Sequence, residues 1–211
     1  IYKMDYGAML AHHVETQADM TVGCIEVPLE SAKAFGVISI DANGRVVEFN
    51  EKPEKPAPMP GSKEQALVSM GIYVFNTAFL YEQLIRDADD VYSTHDFGHD
   101  IIPRLISKYR VSSFPFRDTQ GKQSAYWRDV GTLDSYFDAH MDLVSVDPVF
   151  NLYNRDWPIY TQEITAPPAK VVAVAEYGAG GMSDSILANG VVISGGFVAH
   201  SVLSPWVRVE P

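Results

Sequence analysis

Two short stretches of this chain set charged side chains beside apolar, strand-like runs: Phe49-Asn50-Glu51-Lys52-Pro53 and Tyr126-Trp127-Arg128-Asp129-Val130-Gly131-Thr132. A carboxylate such as Glu51 accepts hydrogen bonds from sugar hydroxyls, and an ammonium such as Lys52 is a point charge suited to phosphate. Asp129 offers hard oxygens to a divalent cation. Mg²⁺ usually takes one or two protein carboxylates and fills its other positions with phosphate and water. Placed at strand ends, where an open α/β sheet builds its ligand crevice, the three groups suit a reaction between a sugar phosphate and a metal-bound nucleotide.

Each stretch also has a plainer reading. Adjacent opposite charges such as Glu51 and Lys52 are common on surface loops. Asp129 precedes an expected helix, where acidic residues are favoured whatever their role. Pro53 and the preceding amphipathic strand favour the functional reading of Glu51-Lys52, because a fixed backbone can aim both side chains.

Other residues invite the same comparison. Gly36, in Phe35-Gly36-Val37, interrupts a strand-like run, as glycine does at a bulge or where a ligand approaches the backbone. Ser69, in Ser69-Met70-Gly71-Ile72-Tyr73, has the same setting and can both donate and accept. His95-Asp96-Phe97-Gly98-His99-Asp100 fits no common zinc spacing. Asp96 is expected instead to cap the next helix, with Phe97 against its first turn. His12 and His13 are expected on the surface. The chain contains no Gly-x-Ser-x-Gly elbow, phosphate-binding Gly-x-x-x-x-Gly-Lys loop or Gly-x-Gly-x-x-Gly turn.

The elements that must hold these residues alternate in type. A helix is expected from Asp5 to Glu15 with Asp5 as its cap, then a strand from Met20 to Val27. Phe35 to Ile40 and Arg45 to Phe49 flank Asp41-Ala42-Asn43-Gly44, a hairpin signal because Asn and Gly tolerate positive φ. Pro53, Pro56, Pro58 and Pro60 predict an extended loop. A strand at Leu67 to Phe75, helices at Ala78 to Ile85 and Phe97 to Ser107, strands at Val111 to Phe116 and Ser124 to Arg128, and a helix at Leu133 to Val144 complete an α/β pattern. After Val149 the chain becomes coil-like. Ile186, Val192 and Val198 then recur every six residues, which suits either a parallel β-helix or an ordinary antiparallel pair.

With 211 residues, 46% of them hydrophobic, the chain can bury a full core. Its net charge of -11 repels polyanions and argues against nucleic acid or an anionic membrane as partner. No apolar stretch approaches the ~20 residues of a membrane span, so a cytoplasmic location is expected. Cys24, the single cysteine, excludes an internal disulfide and is expected to be a buried thiol.

These residues together resemble the bacterial ADP-glucose pyrophosphorylases, the glucose-1-phosphate adenylyltransferases. The match runs through Ile1 to Tyr6, Phe35 to Val37, Phe49 to Pro53, Ser69 to Phe75, His95 to Pro103, Tyr126 to Thr132 and Asp156 to Ile159. Glu-Lys-Pro and Asp-Val-Gly are shared by sugar nucleotidyltransferases in general. The His-Asp-Phe-Gly, Tyr-Trp-Arg-Asp-Val-Gly-Thr and Arg155-Asp156-Trp157-Pro158 elements are more particular to the ADP-glucose branch.

The resemblance implies part of a Rossmann-like nucleotidyltransferase domain over 1–149, a linker over 150–182 and the start of a left-handed parallel β-helix over 183–211. It implies glucose 1-phosphate contacts at Gly36, Glu51, Lys52 and Ser69, with Tyr73, Asp96, Phe97 and Trp127 lining the sugar pocket. Lys52 and Asp129 would be the catalytic residues, Asp129 as one of two Mg²⁺ aspartates whose partner precedes residue 1. The nucleotide loop would also lie upstream, so the stretch alone is expected to be inactive. The implied reaction is adenylyl transfer from ATP to glucose 1-phosphate, in a homotetramer regulated by small-molecule effectors. A UTP- or dTTP-dependent enzyme and a noncatalytic regulatory subunit are the alternatives. His99 stands where relatives often carry lysine.

Overall fold

The computed structural model describes residues 1–117, 125–173 and 181–211. They form two compact units, Met4–Ala125 and Ile1–Lys3 with Tyr126–Pro211.

The Met4–Ala125 unit runs α1 (Tyr6–Glu15), β1 (Met20–Pro28), α2 (Leu29–Ala32), β2 (Gly36–Ile40), β3 (Val46–Glu51), β4 (Gln65–Phe75), α3 (Thr77–Ala88), a π-helical turn (Phe97–Ile101), α4 (Ile102–Ile106) and β5 (Val111–Pro115). The sheet order is β3-β2-β4-β1-β5. Only the β1–β5 pair in it is parallel, so the sheet is mixed. Asp5 caps α1 by accepting from the Gly7 amide at 2.8 Å, as expected from its position before the apolar spacing.

β1 is buried on both faces. Met20, Val22 and Cys24, two residues apart, share a core with Ile38, Phe49 and Leu67 and with Ile101, Ile102 and Leu105 from the π-helical turn and α4. Against the other face lies α1, whose Met9 methyl comes within 3.6 Å of where a Gly23 Cβ would stand. Burying each large apolar side chain contributes about 1.5–3 kcal/mol, so this double layer holds the unit together.

His13 does not lie on the surface as expected; it is buried. Its Nδ1 lies 2.8 Å from Thr21 Oγ1 and its Nε2 3.4 Å from Asn76 Oδ1, so the imidazole keeps polar partners under α1. His12 is half-buried, with Nε2 3.0 Å from Ser112 Oγ. The β2–β3 hairpin forms at the expected place. Gly44 has φ +76°, but Asn43 does not enter positive φ. The Asp41 carboxylate instead accepts from the Asn43 and Arg45 amides at 2.8 and 3.0 Å and closes the turn itself.

The other unit contains α5 (Leu133–Leu143), β6 (Lys170–Val172), β7 (Gly181–Leu187), β8 (Val192–Ser194), β9 (Phe197–Leu203) and β10 (Arg208–Val209). Thr132 caps α5, its hydroxyl accepting from the Ser135 amide at 3.1 Å. The strand expected from Ser124 to Arg128 reduces to an isolated bridge between Trp127 and Tyr2, and Ser124 lies outside the described residues. Tyr2 provides its one bridging partner among the described residues.

All pairings among β6 to β10 are parallel. Gly181 pairs with Phe197, Leu187 with Leu203 and Val192 with Arg208, a step of sixteen residues, whereas Lys170 pairs with Val192 at a step of 22. This is the stacking of successive coils. The buried centre is Val191, Ile193 and Val198, packed by Leu187, Leu203, Val207 and Val209. Of the six-residue series, Val198 is in that core while Ile186 and Val192 are half-buried. A step of sixteen is shorter than three hexads, so strict six-residue spacing drifts off the inner face.

Candidate functional site

Glu51 ends β3 directly opposite Gly36 of β2. A Cβ added at Gly36 would stand 2.9 Å from Glu51 Oε2 and 2.3 Å from the Phe49 ring. Gly36 is therefore a close-approach position, filled by the protein's own side chains. The register irregularity in this hairpin falls between Ser39 and Ile40 instead.

Lys52 follows with φ +45°, and its amide donates to the Phe35 carbonyl at 3.1 Å. This left-handed residue turns the chain sharply out of the strand. The ammonium stands 3.8 Å from the Glu51 carboxylate with its side chain 67% exposed, so the charge is open to an incoming anion.

On β4, a register shift opposite Val22 to Cys24 and φ +72° at Gly71 mark a bulge. Ser69 and Tyr73 flank it, their hydroxyls 3.4 Å apart, and the Gly71 amide donates to Ser69 Oγ at 3.1 Å. The Tyr73 ring stacks on Phe97 at 5.6 Å and 27°. Burial raises the Tyr73 phenol above its ordinary value, and the nearby Glu51 and Asp96 carboxylates push the same way. Gly36, Glu51, Lys52, Ser69, Tyr73, Asp96 and Phe97 thus gather at one end of this sheet. They make an aromatic wall, hydroxyls, two carboxylates and an exposed cation.

Asp96 caps the π-helical turn, accepting from the His99 amide at 2.8 Å, as read from its position. What that reading missed is the scaffold beneath. Asp87, buried near the end of α3, accepts from Ser93 Oγ at 2.7 Å, stands 2.8 Å from His95 Nδ1 and pairs with Arg104 of α4. Arg104 also reaches Asp90 at 3.0 Å and the Asp100 carbonyl at 2.7 Å. Asp100 accepts from the Thr94 hydroxyl and from the Thr94 and Asp96 amides. His99 is exposed, its ring 3.3 Å from Asp100.

These bonds hold both carboxyls below their ordinary values. For Asp87 the Ser93 hydroxyl is the largest cause, followed by His95; for Asp100 it is the Thr94 hydroxyl. The one sequence sign of this scaffold was the density of Asp, Ser, Thr and His between Asp87 and Asp100.

In the other unit, Arg128 and Tyr126 both donate to Asp142 of α5, at 2.8 and 2.7 Å. This anchors the segment and leaves Asp129 exposed before the helix, its Oδ2 3.1 Å from where a Gly131 Cβ would stand. Thr132 rather than Asp129 is the cap. Trp127 is half-buried beside Tyr2. An exposed carboxylate next to a glycine suits a shared Mg²⁺ ligand. Among the described residues there is no group of three or more His, Cys, Asp or Glu side chains that could hold a metal. Nor is any described helix long and apolar enough to cross a membrane.

Comparison with known proteins agrees with this geometry. The nucleotidyl transferase family matches residues 1–146, and a GlmU-like C-terminal hexapeptide family matches 167–211, over the parallel coils of a left-handed β-helix. Similar relatives are named glucose-1-phosphate adenylyltransferase. That of Nitrosococcus oceani is 56% identical over 211 residues, 99% of this chain and 50% of its own length. That of Methylococcus capsulatus is 56% identical and that of Saccharophagus degradans 51%, each over all of this chain and 50% of the relative. The chain spans about half the length of the curated relatives it matches. With the family match covering most of its residues, the chain belongs to the nucleotidyl transferase family.

Proposed function

We propose that this chain carries the acceptor side of an adenylyl transfer from ATP to glucose 1-phosphate, giving ADP-glucose and pyrophosphate for α-glucan synthesis. The observation that carries the reading is the exposed Lys52 cation held beside Glu51, whose carboxylate in turn lies near Tyr73 of the Tyr73–Phe97 wall. The relatives' names give the substrate class.

In this mechanism Lys52 binds the phosphate of glucose 1-phosphate while Glu51, Ser69 and Asp96 bind sugar hydroxyls and Tyr73 and Phe97 cover the ring. Gly36 lets the strand lie close behind Glu51. A phosphate oxygen then attacks the α-phosphorus of ATP in line, and pyrophosphate leaves. Nothing covalent to the protein is needed, so positioning and charge neutralisation carry the rate. Asp129 would supply one oxygen to Mg²⁺, which offsets triphosphate charge. A cytoplasmic location, expected from the lack of a membrane-length apolar stretch, and a homotetramer and effector control, implied by the family resemblance, are part of the proposal.

The test is pyrophosphate release by the complete gene product, given glucose 1-phosphate with ATP, UTP or dTTP. ATP is expected to give the highest kcat/KM by at least about tenfold. Preference for UTP or dTTP, or no turnover with any of the three, would overturn the proposal.

A further inference from the structure

Gly98 lies in the π-helical turn behind the sugar-binding carboxylates, and it is buried. A Cβ added there would stand 2.6 Å from Glu51 Oε2, 3.1 Å from Glu51 Cδ and 3.3 Å from Asp96 Oδ1. Its φ lies outside the left-handed region, so backbone strain is not the reason for glycine here. The reason is space, and that space is occupied by the Glu51 carboxylate.

The same oxygen also lies close to Gly36, where a Cβ would stand 2.9 Å away. Glu51 Oε2 therefore lies in a slot between two glycines, one on β2 and one on the turn. The two walls differ in what else a methyl group would strike. At Gly36 it meets the Phe49 ring at 2.3 Å, and that ring belongs to the core. At Gly98 its nearest neighbour is the end of the Glu51 side chain, which can swing away, while Asp96 Oδ1, held at 2.8 Å by the His99 amide, lies 3.3 Å off and need give only slightly. Packing would absorb the second change, but the carboxylate would move.

We propose that Gly98 is a positioning residue for the sugar phosphate: by having no side chain, it fixes the direction in which Glu51 presents its carboxylate. The proposal rests on the sugar-binding role given to Glu51 above. It separates two glycines that look alike in sequence. Gly36 is needed mainly for the fold, and Gly98 for the aim of one side chain.

The experiment compares Gly98→Ala, Gly36→Ala, Glu51→Ala and the Gly98→Ala/Glu51→Ala double variant in the complete gene product, by steady-state kinetics and thermal unfolding. Gly98→Ala is expected to keep the parent Tm within about 2 °C and the KM for ATP within about twofold, while raising the KM for glucose 1-phosphate about tenfold. In the Glu51→Ala background the same change should alter that KM by less than about twofold, because the side chain through which it acts is gone. Gly36→Ala should instead lower Tm by several degrees. An undiminished effect of Gly98→Ala without Glu51 overturns the proposal. So does an unchanged KM in Gly98→Ala when Glu51→Ala raises it. An unchanged KM in Glu51→Ala overturns the sugar-binding reading itself, and the proposal with it.

Discussion

Arg104 of α4 pairs with Asp87 of α3 across the base of the loop that carries Asp96 and Phe97, and one guanidinium thereby joins two helices and the loop between them. Asp100 ties the same loop from within through Thr94 and Asp96. The aromatic wall and one of its carboxylates are thus held by charged hydrogen bonds.

This scaffold predicts a specific acid sensitivity. Both Asp87 and Asp100 titrate below the ordinary 3.8 in the folded chain and regain that value on unfolding. Their stabilisation is therefore fully present above about pH 5, and it is lost progressively as pH falls through 3.8 towards the depressed folded values. Urea unfolding at pH 7, 5 and 3 should show a fall between pH 5 and 3 that is shallower in Asp100→Asn. Parallel curves for parent and variant would place the acid-sensitive groups elsewhere.

Lys52→Ala tests the phosphate contact. Both residues carry a Cβ, so the left-handed backbone is equally strained in each and the change isolates the charge. The KM for glucose 1-phosphate should rise by about tenfold or more while that for ATP stays near the parent value. A rise confined to ATP would reverse the assignment.

Asp129→Asn keeps the shape of the side chain and removes its charge. As a metal ligand Asp129 affects the reacting phosphates, so kcat with Mg²⁺ should fall by about a hundredfold or more. Because the Arg128–Asp142 anchor is untouched, Tm should not move with it. Near-parent turnover would remove Asp129 from the metal site.

Cys24 predicts silence. It is fully buried, and burial pushes its thiol up to about 12. At pH 8 the thiolate is then about one part in ten thousand, so a thiol reagent should react only as the chain unfolds. Stoichiometric labelling of native protein would contradict the packing of β1.

The element order was legible because apolar spacing and punctuation agreed. Asp5 and Thr132 stood where caps belong, Asp41 to Gly44 separated two strands, and Pro53 closed the third. What escaped the sequence was side-chain geometry across distance. Nothing local says that the Asp41 carboxylate closes its turn, that Thr21 and Asn76 allow His13 to be buried, or that Asp87 meets Arg104. The sixteen-residue step from β7 to β9 was also hidden, since Ile186, Val192 and Val198 fit a hexad while Val191, Ile193 and Val198 form the inner face. For the candidate site, residue types were readable one at a time. The slot that Gly36 and Gly98 make for one oxygen appears only when β2, β3 and the turn are assembled.

The left-handed backbone at Lys52 sets stability against duty at a single position. A residue with a Cβ there costs about 1 kcal/mol relative to glycine. Lys52→Gly should therefore raise the melting temperature of the chain even as it removes the cation beside Glu51. Under selection for robustness alone, this position would drift to glycine. A lysine held at φ +45° is the less stable choice for the fold, and it is the choice that leaves an ammonium beside Glu51.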